Sequence, residues 1–145
     1  MSLQDMELSG ELTREALTSG EVARHLVAIE DWLQAADIEA NPNRTRLEQA
    51  YSAIHGIARI ALRVDGYRVT STRRHHQVAL ESLTETMGVG VEDIDYFLSL
   101  SGERHNDIYD AAPVTDSDVS DATAAAANLA KKLHVWLEAR NAQDS

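Results

Sequence analysis

The segment from about Arg44 to Val64 places apolar residues at helical spacing around much of the circumference that a helix would have. These residues are Leu47, Ala50, Tyr51, Ile54, Ile57, Ala58, Ile60, Ala61 and Leu62. A helix with so wide an apolar surface is normally buried on two sides. We therefore predict that this segment is the central helix of the fold, with Asn43 as its N-terminal cap and Gly66 as its C-terminal stop.

Other segments have the narrower apolar stripe of helices that pack on one side. They cover about 18–38, 71–87, 91–101 and a last segment that follows Pro113. Thr18 with Glu21, and Thr115 with Asp118, have the spacing of residues that cap a helix N-terminus. Gly102 is predicted to break or kink the fourth helix.

The chain shows no strand-type alternation bounded by turn residues. We therefore predict an all-α fold, an antiparallel bundle of about five helices. Residues 1–17 are polar and weakly patterned, so we expect a weakly ordered N-terminal lead-in. The single helical-bundle domain would then span 18–141, and 142–145 would form a tail.

Composition excludes several classes of protein. The chain has no cysteine, which rules out disulfides, thiolate metal sites and thiol catalysis. Its formal net charge of −11 argues against general coating of nucleic acid, because polyanions are repelled. No apolar run approaches the roughly 18 residues of a membrane span, and no leader peptide opens the chain, so we expect a cytoplasmic protein without membrane contact.

Positive charge is nevertheless concentrated in one region of this acidic chain. The residues are Arg59, Arg63, Arg68, Arg73, Arg74, His75 and His76. One interpretation is that each cation pairs with a surface carboxylate and contributes little. The other is that together they bind an anionic ligand.

The adjacent His75 and His76 do not predict a metal site. Neighbouring residues on a helix point about 100° apart, so the two rings do not readily ligate one ion. No H-E-x-x-H or E-x-x-H spacing completes a site. We predict neither a metal nor a cofactor.

A polar segment from Ser101 to Asp110 directly follows the apolar stretch Tyr96–Leu100. This order of elements resembles the HEPN superfamily of small α-helical bundles (higher-eukaryote and prokaryote nucleotide-binding). The superfamily includes toxin ribonucleases and partners of minimal nucleotidyltransferases. The resemblance covers about residues 20–140. It is carried by 51–62, 66–68, Ser71 with 75–80, 96–100, 104–110 and 114–116.

The resemblance implies a function for Arg104. Ribonuclease-type members carry an arginine and, four to six residues later, a histidine, and two copies meet in a homodimer. Arg104 matches the arginine, but Tyr109 stands five residues on and Asp110 follows. A tyrosine with an ordinary pKa near 10 is a poor general base at neutral pH. His75 or His76 would have to supply the imidazole from another helix.

Three functions are consistent with these features. The first is a HEPN-like module of a toxin–antitoxin or nucleotidyltransferase-partner type that binds a nucleotide, RNA or a partner protein without efficient catalysis. The second is a metal-independent endoribonuclease with Arg104 and His76, or His75, as catalytic residues. The third is a plain protein-interaction bundle. The residues assigned to ligand binding are Arg68, His75, His105, Asn106 and Tyr109.

Overall fold

The computed structural model describes residues 1–70, 74–110 and 113–140, and within them all side chains except those of 102–110. The described chain is predominantly helical, with one small two-stranded sheet. The elements are α1 (Leu3–Leu8), β1 (Leu12–Arg14), α2 (Glu21–Ala36), α3 (Asn43–Val64), β2 (Tyr67–Val69), α4 (His75–Glu81), α5 (Leu83–Met87), α6 (Val91–Asp110) and α7 (Asp116–Ala139).

Helix α3 is the centre of the fold, as predicted, and it packs mainly against α2 and α7. Gly56 lies where side chains of α2 pack on α3. A Cβ atom at this position would lie 2.6 Å from Cζ3 of Trp32. Glycine therefore provides the space in which the Trp32 ring packs on the central helix. Trp136 is also half-buried, and its indole N–H donates to the Thr86 carbonyl at 2.8 Å.

The prediction that the chain contains no strand was wrong. Strands β1 and β2 pair in antiparallel fashion, with Leu12 opposite Val69 and Arg14 opposite Tyr67. Each strand has three residues, which is too short to show an alternating pattern in the sequence. Residues 1–17 thus contribute a helix and a strand to the fold, where the sequence indicated only a lead-in.

The N-terminal segment also closes a second, smaller apolar cluster. Met6 and Leu12 pack in it with Leu62, Tyr67 and Val78. Helix α1 begins at a capping box, in which the Ser2 and Asp5 side chains each accept a hydrogen bond from the other residue's backbone N–H. The contacts of the apolar cluster attach α1 and β1 to α3, β2 and α4.

Two helix boundaries differ from the prediction. The helix predicted over 71–87 is divided at Ser82, whose buried hydroxyl donates to the Ala79 carbonyl at 2.6 Å. Helix α6 does not break at Gly102 but continues to Asp110. Glycine inside a helix costs only about 1 kcal/mol relative to alanine, so α6 can include it.

The caps agree only in part with the predicted ones. Thr115 forms the expected capping box with Asp118 at the start of α7. Asn43 does not cap α3, because its side-chain amide instead donates to the Val114 carbonyl and to Asp116. Asn43 therefore connects the beginnings of α3 and α7. No described helix is long and apolar enough to cross a lipid bilayer.

Candidate functional site

A pocket of about 640 Å³ lies between α3, β2 and the beginning of α4. Its apolar wall consists of Leu62, Val69 and Ala79. Arginine and histidine side chains form most of the remaining lining. They are Arg59, Arg63, Arg68, His55, His75 and His76.

One face of α3 supplies half of these polar groups. Tyr51, His55, Arg59 and Arg63 follow one another at intervals of four residues. Side chains four residues apart lie on the same side of a helix, one above the other. The central helix therefore presents a polar stripe beside its apolar surface, and this stripe forms one side of the pocket.

Helix α4 contributes two further histidines, His75 and His76, beside His55 of α3. The His55 and His76 rings are stacked nearly parallel, with centroids 4.1 Å apart and an interplanar angle of 5°. Tyr51 lies parallel to both rings, and its hydroxyl is 3.2 Å from Nδ1 of His76. The His75 ring meets His76 edge-on at 4.3 Å. These contacts fix the orientation of the His76 imidazole.

Arg63 is a structural residue at the back of the pocket. Its side chain is only 4% exposed, and its guanidinium donates to both carboxylate oxygens of Glu21, at 2.7 and 3.1 Å. It also donates to the carbonyls of Glu15, Ala16 and Tyr67. The hydrogen bond from Arg63 lowers the pKa of Glu21 to about 2, despite the opposing effect of burial.

Arg68 and Arg59 are the exposed arginines of the pocket. Arg68 lies on β2, and its Nε donates to the carboxylate of Glu15. Within the described part of the chain, no hydrogen bond or ion pair engages the Arg59 guanidinium. Burial chiefly, and the positive charge of Arg59 next, lower the pKa of His25 on α2. The field of Arg59 thus extends beyond the pocket.

Tyr67 links the pocket to the N-terminal segment. Its ring is buried in the lining, and its hydroxyl accepts a hydrogen bond from Arg14 at 2.9 Å. The Arg14 guanidinium also lies over the ring, 4.9 Å from the centroid. Thr70, at the end of β2, donates to the Gly10 carbonyl at 2.9 Å. Residues before position 15 therefore hold β2 in place without lining the pocket themselves.

The structure brings together three of the residues that the sequence assigned to a site, Arg68, His75 and His76. The other assigned residues are Arg104, His105, Asn106 and Tyr109. Their backbone belongs to α6, but their side chains are outside the described part of the structure. Their roles stay predictions.

His55 and Arg59 were missing from the predicted site. Their spacing with Tyr51 and Arg63 was the available signal, but it lies within a helix that the sequence marked chiefly as core.

The pocket has the chemistry of an anion site. Guanidinium groups bind phosphate or carboxylate oxygens in a planar geometry, and imidazoles can both donate hydrogen bonds and move protons. The described side chains include no group of three or more histidines, aspartates or glutamates placed to hold a metal ion. Comparison of the chain with protein-family models, with curated proteins and with solved structures yields no significant match.

Proposed function

We propose that this chain is a HEPN-like helical module that binds a nucleotide, or a related phosphate-bearing ligand, in the pocket between α3, β2 and α4. The observation that carries the proposal is the convergence of Arg59, Arg68, His75 and His76 on one pocket in a chain of net charge −11. Pairing with surface carboxylates does not account for this arrangement, because the Arg59 guanidinium has no carboxylate partner among the described residues.

The size and polarity of the pocket fit such a ligand. Its volume of about 640 Å³ lies within the range of small-molecule sites, which is roughly 300–1,000 Å³. Leu62, Val69 and Ala79 offer an apolar wall for a base, while Arg59 and Arg68 offer donors for a phosphate. A free phosphate would leave most of this volume unused, whereas a mononucleotide would occupy both parts.

The net negative charge of the chain limits the kind of anion that can bind in the pocket. A polyanion is repelled by the chain as a whole, but a single phosphate that reaches the pocket interacts mainly with groups within about 8 Å at physiological salt. We therefore expect a mononucleotide, or the end of an RNA strand, as the ligand rather than a long duplex.

The wider properties of the proposal come from the HEPN resemblance. We expect a cytoplasmic homodimer, with a nucleotidyltransferase or an antitoxin as its protein partner. We expect no efficient catalysis, because Tyr109 stands where ribonuclease-type members have histidine. Light scattering after size exclusion would measure the dimer directly, and a monomer at micromolar concentration would contradict that part.

Titration calorimetry with 5′-AMP and with adenosine tests the ligand. We expect 5′-AMP to bind and adenosine to bind at least tenfold more weakly. Arg59→Ala should weaken 5′-AMP about tenfold, the usual effect of losing one hydrogen bond to a charged group. Arg24→Ala is the matched control, because Arg24 is exposed on α2 and outside the pocket. Equal binding of 5′-AMP by the wild type and Arg59→Ala would refute the proposed site.

A second candidate, a metal-independent endoribonuclease, is favoured by the position of His76. The Tyr51 hydroxyl orients this imidazole within the pocket that also contains Arg59. An oriented histidine beside an arginine is the arrangement needed to remove a 2′-hydroxyl proton while developing phosphate charge is stabilised. In this candidate Arg104 supplies additional charge stabilisation.

Incubation of RNA with the protein in EDTA, between pH 5 and 8, separates the candidates. Cleavage that is lost in His76→Ala and in Arg104→Ala supports the endoribonuclease. Intact RNA with binding of 5′-AMP supports the non-catalytic module. Neither cleavage nor binding would favour a plain protein-interaction bundle.

A further inference from the structure

Glu15 brings a carboxylate to one of the arginines of the pocket. It lies between β1 and α2, just after Arg14, and its Oε2 accepts a hydrogen bond from Nε of Arg68. The same oxygen is 3.6 Å from a terminal nitrogen of Arg63. This carboxylate therefore lies between two guanidinium groups that line the pocket, as an anionic ligand would.

The backbone of Glu15 is held firmly at this position. Its N–H donates to the Gly66 carbonyl at 3.0 Å, and its own carbonyl accepts from Arg63 at 2.8 Å. The side chain, by contrast, is 48% exposed. Rotation of the side chain alone would move the carboxylate off Arg68, with no change in the path of the chain.

Arg63 does not depend on this carboxylate. Its charge is compensated by Glu21, and its remaining hydrogen bonds go to backbone carbonyls. Arg68, on the exposed side of β2, has Glu15 as its carboxylate partner within the described part of the chain. Movement of the Glu15 side chain would therefore release Arg68 while leaving the buried ion pair intact.

We propose that Glu15 is an internal competitor for the anion site, and that a bound phosphate displaces its carboxylate from Arg68. This inference rests on the proposed function and adds a regulatory residue to the same pocket. In the free protein Arg68 is neutralised by Glu15, and in the complex Arg68 turns to the ligand.

The competition has a definite cost for the ligand. An exposed ion pair of this kind contributes about 0.4–1 kcal/mol, and this amount is lost when the phosphate replaces the carboxylate. Removal of the competing charge should therefore tighten binding by about two- to fivefold. The effect should shrink as salt is raised, because exposed charges are screened.

The test is titration of 5′-AMP into the wild type, Glu15→Gln, Arg68→Ala and the double variant Glu15→Gln/Arg68→Ala. We expect Glu15→Gln to bind two- to fivefold more tightly than the wild type. In the Arg68→Ala background the same change should have no effect, because the competition acts through Arg68. Glu30→Gln controls for net charge, since Glu30 is exposed on α2 and its carboxylate contacts only the Gln34 amide among the described residues.

The outcomes separate this inference from the proposed function. If the wild type and Glu15→Gln bind 5′-AMP with equal affinity, the competing role of Glu15 is refuted. The proposed binding pocket is not refuted by that result. A gain of equal size in Glu30→Gln would also overturn the role of Glu15, because only net charge would then matter. Absence of binding in both the wild type and Glu15→Gln would overturn the proposed function, and this inference with it.

Discussion

The guanidinium of Arg63 forms a bidentate ion pair with the carboxylate of Glu21, and both side chains are buried. The pair joins α2 to the last turn of α3. Since α3 also carries Arg59 and His55, the ion pair fixes the helix that presents the pocket. The ion pair therefore contributes directly to stability, and it affects binding only because it positions α3.

Removal of one partner should be costly. Glu21→Ala would leave the buried Arg63 charge with only the half-exposed carboxylate of Glu15, 3.6 Å away, and loss of one partner of a buried ion pair destabilises proteins by about 3–5 kcal/mol. Urea unfolding measures the loss. Arg68→Ala, which removes the exposed pair with Glu15, is a control that should cost less than about 1 kcal/mol. Equal losses in the two variants would mean that burial of the Glu21 pair has no energetic consequence.

The same pair makes stability depend on pH. The pKa of Glu21 is about 2 in the folded protein and 4.5 as its ordinary value. Because the folded-state pKa is depressed, the stabilisation is fully present above about pH 4.5 and is lost as pH falls towards 2. Urea midpoints measured from pH 6 to pH 2.5 should fall more steeply for the wild type than for Glu21→Gln. Parallel curves would contradict the assignment.

Gly56 should not tolerate a side chain. Gly56→Ala places a methyl group 2.6 Å from the Trp32 ring, and overpacking of this kind costs about 1–3 kcal/mol. Gly90→Ala is the matched control, because no atom lies within 4 Å of its added Cβ. Thermal unfolding of the two variants makes the comparison. A second change, Trp32→Leu, should recover part of the stability lost in Gly56→Ala. The same change should not raise the stability of Gly90→Ala.

The N-terminal segment should be part of the cooperative fold. Leu12 on β1 is 2% exposed, and Leu8 at the end of α1 is 85% exposed. The same substitution can therefore be compared at a buried and at an exposed position. Leu12→Ala should cost about 2–5 kcal/mol in urea unfolding, and Leu8→Ala almost nothing. If Leu12→Ala were also neutral, residues 1–17 would be the independent lead-in that the sequence indicated.

The central helix could be predicted because its signal is local and repeated. Its apolar residues recur at helical spacing from Leu47 to Leu62, over about four turns, and the period of a strand does not fit them. The strands could not be predicted in this way. Arg14 and Tyr67 are paired although 53 residues separate them, and strands of three residues leave no period to detect.

The candidate site was accessible from sequence only in part. Arg68, His75 and His76 stand close together in the chain, so their clustering was visible as a local excess of positive charge. Arg59 belonged to the same local excess, whereas His55 joins these residues only because α3 and α4 pack side by side, which is tertiary information. Gly102 was a misleading signal for the end of α6. The low helix propensity of one residue does not end a helix of 20 residues.

The pairing of β1 with β2 has a consequence for proteolysis. Strand β2 contributes Tyr67, Arg68 and Val69 to the pocket, and β1 is its partner in the sheet. A trypsin-like protease that cleaved after Arg14 would release β1 without cutting any residue that lines the pocket. Strand β2 would then lose the partner strand that holds it, through a break 53 residues away from Tyr67 in the chain.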